Sequence, residues 1–130
     1  MKYPLHIAAG PKARRHLQEN GLQLADIRAM LGASGGPKWL VLNQLDRFLA
    51  PRLAADTQVD VDLLGTSIGS WRFACYAQPD PLAAFDRFEA AYFEQAYTAR
   101  PDTREISLVC SRILEAILGE QQAAIVNSDK

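Results

Sequence analysis

The chain has 130 residues, of which 48% are hydrophobic and 22% charged, and its formal net charge is −1. That is the length of one domain with a modest core, and a balance this even offers no global field to draw in nucleic acid or anionic lipid. No apolar run approaches a membrane span, and the opening "MKYPLHIAAG" makes a poor secretory leader, so a soluble, cytoplasmic protein is the expectation.

The elements follow in order. "AGPKARRHLQENG" predicts a short helix, with Pro11 in its first turn and Asn20-Gly21 as its stop. "DIRAMLGA" predicts a strand over Ile27 to Leu31, running into the loop "GASGGPK". From Pro37 to about Ala54, Leu40, Val41, Leu45, Phe48, Leu49 and Leu53 recur at helical spacing and predict one amphipathic helix, kinked or cut short at Pro51. "VDVDLLG" predicts a second strand, and strand, helix, strand of this length implies a parallel crossover.

Directly after Ser67 a further helix is expected to about Ala77. The remainder reads as helical. Asp80-Pro81 is a cap with a first-turn proline ahead of a face formed by Leu82, Phe85, Tyr92, Phe93 and Ala96. Asp102 and Glu105 have capping-box spacing ahead of Ile106, Val109, Cys110, Ile113, Leu114 and Ile117, and Gly119 closes that helix. Cys75 and Cys110 fall in apolar helical patterns without metal or redox spacing and read as buried free thiols, which suits a reducing compartment.

Two loops carry the chemistry. Gly65-Thr66-Ser67-Ile68-Gly69 matches G-x-S-x-G between an expected strand and an expected helix. A nucleophile in so sharp a turn needs glycine two residues away on either side, where the passing chain leaves no room for a side chain. Its hydroxyl then stands at the C-terminal end of a parallel strand and at a helix N-terminus, which favours a developing anion. The alternative is a tight turn with Ser67 as helix cap. In "GASGGPKW", Gly35 and Gly36 let backbone amides approach a substrate oxygen, whereas Pro37 and Trp39 do not fit a phosphate-binding Walker loop.

Together, "GASGGPKW" and "GTSIGS" resemble the patatin-like phospholipase family, over about Ile27 to Ala77. That family carries an oxyanion loop of the form G-G-G-x-[RK]-G, then a nucleophile elbow one βαβ step later. Here Ser34 and Trp39 replace its first and last glycines, Gly35 and Gly36 fill the middle, and Lys38 is the basic residue. Ser67 lies 32 residues after Gly35, which suits one helix and one strand between them.

The resemblance implies a parallel-sheet, three-layer α/β/α fold of patatin type, incomplete here and followed by a helical C-terminal half. Residues 26–78 would hold the loop, crossover helix and elbow of a single domain, and residues 79–119 the helical segment. It implies Ser67 as nucleophile of a serine–aspartate dyad, amides at Gly35 and Gly36 with Lys38 for the oxyanion and substrate, and Gly65 and Gly69 shaping the elbow. The partner would be a lipid or other acyl ester, met with at most transient membrane-surface contact and without metal or cofactor.

The family's aspartate sits in a downstream Asp-Gly motif, which is absent from these residues, so the chain is expected to be an N-terminal portion lacking its general base. Asp80, Asp86 and Asp102 fall at helix starts or faces, Asp129 in the tail, and Asp60 and Asp62 on the elbow's own strand. His6 and His16 precede the serine and read as surface or cap residues. Trp39 and Trp71 would line an acyl groove or the core, and Lys38 or Arg72 would attract a phosphate head group. Two other readings are a non-catalytic interaction or scaffold domain that keeps the βαβ core, and a small thioesterase-like hydrolase, which would need a base of its own.

Overall fold

The computed structural model describes residues 6–56 and 59–122; Asp129 and most of the tail lie outside them. Helix α1 spans Pro11–Asn20, with proline in its first turn, and ends where Gly21 takes φ +70 and donates its N–H to the Leu17 carbonyl at 3.0 Å. None of its residues is buried. A 3-10 turn, Leu24–Asp26, follows, closed by reciprocal hydrogen bonds between Gln23 and Asp26. Because Ile27 still donates to Leu24 at 3.0 Å, the first strand begins two residues later than expected. It is β1, Ala29–Gly32.

β1 pairs in parallel with β2, Asp62–Gly65, in the register Ala29 to Asp62, Met30 to Leu63, Leu31 to Leu64 and Gly32 to Gly65. The protein is thus mixed α/β, with a two-stranded parallel sheet among mostly helical elements. Alternation along each strand turns Met30 and Leu63 toward the core and Leu31 and Leu64 away from it. The outward pair is 77% and 67% exposed, so among the described residues one sheet face is uncovered, where a three-layer fold would cover both.

The crossover departs from its sequence pattern. Gly36–Val41 is a 3-10 turn, and the α-helix, α2, spans Asn43–Ala55. Pro51 neither ends nor shortens it: Ala50 and Leu53 are held in the core on both sides, and that packing carries the helix past the missing donor. The expected apolar face is borne out only in part: Leu53 is buried, and Leu40 and Leu49 pack against the core. α2 buries Asn43, Asp46, Ala50 and Leu53, while Val41, Leu45 and Phe48 face solvent. Polar residues can occupy the inner face because each finds a charged partner there.

α3, Ile68–Tyr76, packs on both strands, and α4, Pro81–Phe93, lies against α2, α3 and α5. The Asp80 carboxylate accepts the Ala83 N–H at 3.0 Å, as its position predicts. α4 buries Pro81, Ala84, Phe85, Phe88 and Tyr92 at helical spacing, whereas the expected Leu82 and Phe93 fall off that stripe and are exposed.

α5, Thr103–Leu118, buries Ile113 and Ile117 and ends at Gly119 with φ +52. Only half of its expected capping box forms. Asp102 accepts from the Glu105 amide at 2.7 Å, but Glu105 turns its own carboxylate to the amide and hydroxyl of Thr98, at 2.6 and 2.7 Å. In the core, Trp39 stacks on Phe88 with ring centroids 4.1 Å apart. Both thiols are free, Cys75 fully buried but Cys110 only half-buried, because it lies beside rather than on the stripe that α5 buries.

Candidate active site

Both sequence-predicted loops leave the same end of the sheet. Gly32 and Gly65 are register partners and the last residues of their strands, and the Thr66 N–H extends the ladder to the Gly32 carbonyl at 2.9 Å. The chain then reverses into α3 within two residues. At the turn, Ser67 has φ 54 and ψ −126, and it is the one non-glycine residue with positive φ among those described. L-residues avoid this region at a cost of about 1–3 kcal/mol, and such strain concentrates at functional sites.

What holds Ser67 there is a close crossing of backbone on backbone. A Cβ at Gly69 would overlap the Gly32 carbonyl, and one at Gly65 would lie 2.5 Å from the Ser70 nitrogen. Gly32 completes the crossing: a Cβ there would sit 2.8 Å from the Phe73 ring and 3.1 Å from the Gly69 Cα. Sequence reasoning assigned Gly65 and Gly69 to the elbow but not Gly32. Its place as the last strand residue before the other loop was the available clue.

Ser67 is exposed, and its side chain does not cap α3. The N–H groups after it turn inward instead, Gly69 to the Thr66 carbonyl at 3.0 Å and Ser70 to the Ser67 carbonyl at 2.9 Å. Across the strand pair, the amides of Gly35 and Gly36 donate to no backbone carbonyl among the described residues. Gly36 takes φ +52 with open space where a side chain would stand, so glycine serves its backbone conformation there rather than a close approach. Lys38 is exposed and enters no ion pair among the described residues.

A buried polar cluster anchors the elbow helix. Arg72 on α3 donates twice to the Asp46 carboxylate on α2, at 2.7 and 2.6 Å, and the Tyr76 hydroxyl donates to the same carboxylate at 2.9 Å. The hydrogen bonds to Asp46 raise the Arg72 pKa further, while burial raises that of Tyr76, so both remain donors. Arg72 is therefore enclosed and committed to Asp46, and cannot serve as the phosphate-attracting residue its position suggested. Trp39 is in the core, and the half-buried Trp71 packs edge-on to Phe88 with ring centroids 6.2 Å apart. Burial also pushes the Cys75 thiol up, which leaves it unreactive.

No carboxylate or imidazole meets the Ser67 hydroxyl among the described residues. Asp46 is spent on Arg72 and Tyr76, Asp86 pairs with Arg47 at 2.6 Å, and Asp80 and Asp102 are caps. His16 does find an acid, with Nε2 2.8 Å from Asp26, whose pKa is lowered first by the Gln23 N–H and then by His16. That pair lines an open groove of about 700 Å³ with Lys12, Leu17 and Leu22, a groove whose lining contains neither Ser67 nor the glycine loop. Among the described residues no cluster of His, Cys, Asp and Glu is placed to hold a metal ion. Nor is any helix long and apolar enough to cross a membrane.

No family model, curated protein or solved structure matches this chain.

Proposed function

We propose that the chain carries the nucleophile and oxyanion half of a serine acyl hydrolase of patatin type, acting on lipid or related acyl esters. On this reading the strand pair belongs to a three-layer α/β/α arrangement, and the free thiols suit a cytoplasmic setting. Ser67 Oγ attacks the ester carbonyl, and the amides of Gly35 and Gly36 receive the oxyanion. An aspartate outside the described residues takes the serine proton and passes it to the departing alcohol, and water then releases the acyl group.

The observation that carries the reading is the backbone of Ser67. A serine held at φ 54, with its hydroxyl unused as a cap, is explained by a need to present that hydroxyl and not by helix capping. Labelling by a fluorophosphonate, read by peptide mass spectrometry, tests it: Ser67 takes the adduct, and the Ser67→Ala chain does not.

One observation favours a second reading. With no base beside Ser67 among the described residues, the same geometry would suit a non-catalytic scaffold that keeps the βαβ turn for its shape. A folded chain that takes no label at Ser67 supports that alternative.

A further inference from the structure

The segment from Pro37 to Ala55 contains one acidic residue, Asp46, and it is buried against Arg72. What the segment shows to solvent is apolar and basic. Val41 is 84% exposed, Leu45 51% and Phe48 52%, with Lys38 exposed at one end of the stripe and Arg52 at the other. On α2, positions 45, 48 and 52 recur at helical spacing and share one face, and Val41 stands in the turn that leads into it. The Arg52 guanidinium lies 3.7 Å above the Phe48 ring, so the positive charge is held against the stripe rather than away from it. The next acid, Asp56, is half-buried beyond the helix end.

We infer that this outer face of α2 and its leading turn docks on an anionic membrane surface. Val41, Leu45 and Phe48 enter the boundary between head groups and acyl chains, while Lys38 and Arg52 meet lipid phosphates and carboxylates. An apolar stripe flanked by basic residues is the pattern that binds in the plane of such an interface. Contact with a second copy of this face is disfavoured by charge: a two-fold pairing would bring Lys38 and Arg52 of both chains together with no exposed carboxylate on the segment to meet them.

The stripe begins in the turn that leaves the glycine loop, so a docked α2 brings the Ser67 end of the sheet to the layer where lipid esters lie. The inference rests on the acyl-hydrolase reading for that purpose, whereas the binding itself needs no hydroxyl at Ser67.

Co-sedimentation of the full chain with phosphatidylcholine vesicles, with and without phosphatidylserine, tests it. The wild-type and Ser67→Ala chains should partition equally onto the anionic vesicles. Lys38→Gln with Arg52→Gln should weaken partition by about fivefold per charge removed. Combined Val41→Ser, Leu45→Ser and Phe48→Ser should reduce it by about tenfold or more, with helix content by circular dichroism unchanged. Ile106→Ser with Leu108→Ser, exposed apolar residues on α5, should leave it intact.

The inference is overturned if the chain binds neither vesicle, binds both equally, or loses binding equally with the α5 pair. It is also overturned if the lipid-free chain is a dimer that the α2 substitutions dissociate. Retained binding by a chain whose Ser67 takes no fluorophosphonate would leave the docking face standing and sink only the hydrolase reading.

Discussion

A methyl group added at position 69 would overlap the Gly32 carbonyl, whereas one added at position 36 would meet open space but demand φ +52 of an alanine. The two glycines therefore answer to different constraints, and their substitutions should differ in size. Gly69→Ala forces strand and helix apart and should cost about 3 kcal/mol or more. Gly36→Ala should cost about 1–2 kcal/mol, the penalty for a left-handed L-residue. Urea unfolding of the two variants checks this; equal losses would mean that the crossing at Gly69 is looser than described. The glycine pattern around Ser67 was legible in the sequence because backbone crowding leaves only glycine as a choice. Gly32 was not, because it reads as an ordinary strand end until the register sets it opposite Gly65.

At the scale of elements, α2 shows what spacing alone does not reveal. Its apolar residues recur at helical period, and the helix forms, but the face it buries sets Asn43 and Asp46 in line with Ala50 and Leu53. Periodicity counts apolar positions and cannot foresee that Arg72, five residues beyond Ser67, will bury a carboxylate from another helix. Asp46→Ala leaves Arg72 enclosed without a counter-ion and should cost about 3–5 kcal/mol, whereas Tyr76→Phe removes one hydrogen bond to a charged group and should cost about 1.5–3 kcal/mol. A tolerated Asp46→Ala would show that water reaches this cluster.

α2 is also tied to α4, where Glu89 accepts from Asn43 at 2.9 Å and Arg47 at 2.6 Å. Those bonds, Asn43 first, hold the Glu89 carboxyl below its ordinary value of 4.5. The unfolded chain thus binds this proton more readily. The resulting stability is complete above pH 4.5 and is lost as pH falls through the lower folded pKa. Wild type should lose stability more steeply than Glu89→Gln on acidification below that point; parallel curves would contradict the assignment.

Across the described residues as a whole, one parallel strand pair fixes where the glycine loop and the serine turn emerge. Gly32 and Gly65 end together, so the glycine loop and the serine turn emerge from one sheet edge, with α3 anchored beneath them through Arg72 and Asp46. Strand, turn and helix order were readable from hydrophobic runs and glycine placement, because each depends on neighbours in the sequence. The open Leu31 and Leu64 face, the polar half of the face that α2 buries and the committed Arg72 were not, because each depends on contacts between distant segments.

On the proposed acyl-hydrolase reading, the fold presents the Ser67 hydroxyl for attack. The most direct measurement is fluorophosphonate occupancy of Ser67 in the folded chain, compared within one digest with the exposed Ser34 and Ser70 and with the urea-unfolded chain. The turn and the oxyanion donors act on Ser67 and on neither of the other two serines in that reading, so Ser67 should be labelled well above both, and only when the chain is folded. Occupancy at Ser67 no greater than at Ser34 and Ser70, or unchanged by unfolding, would contradict the claim.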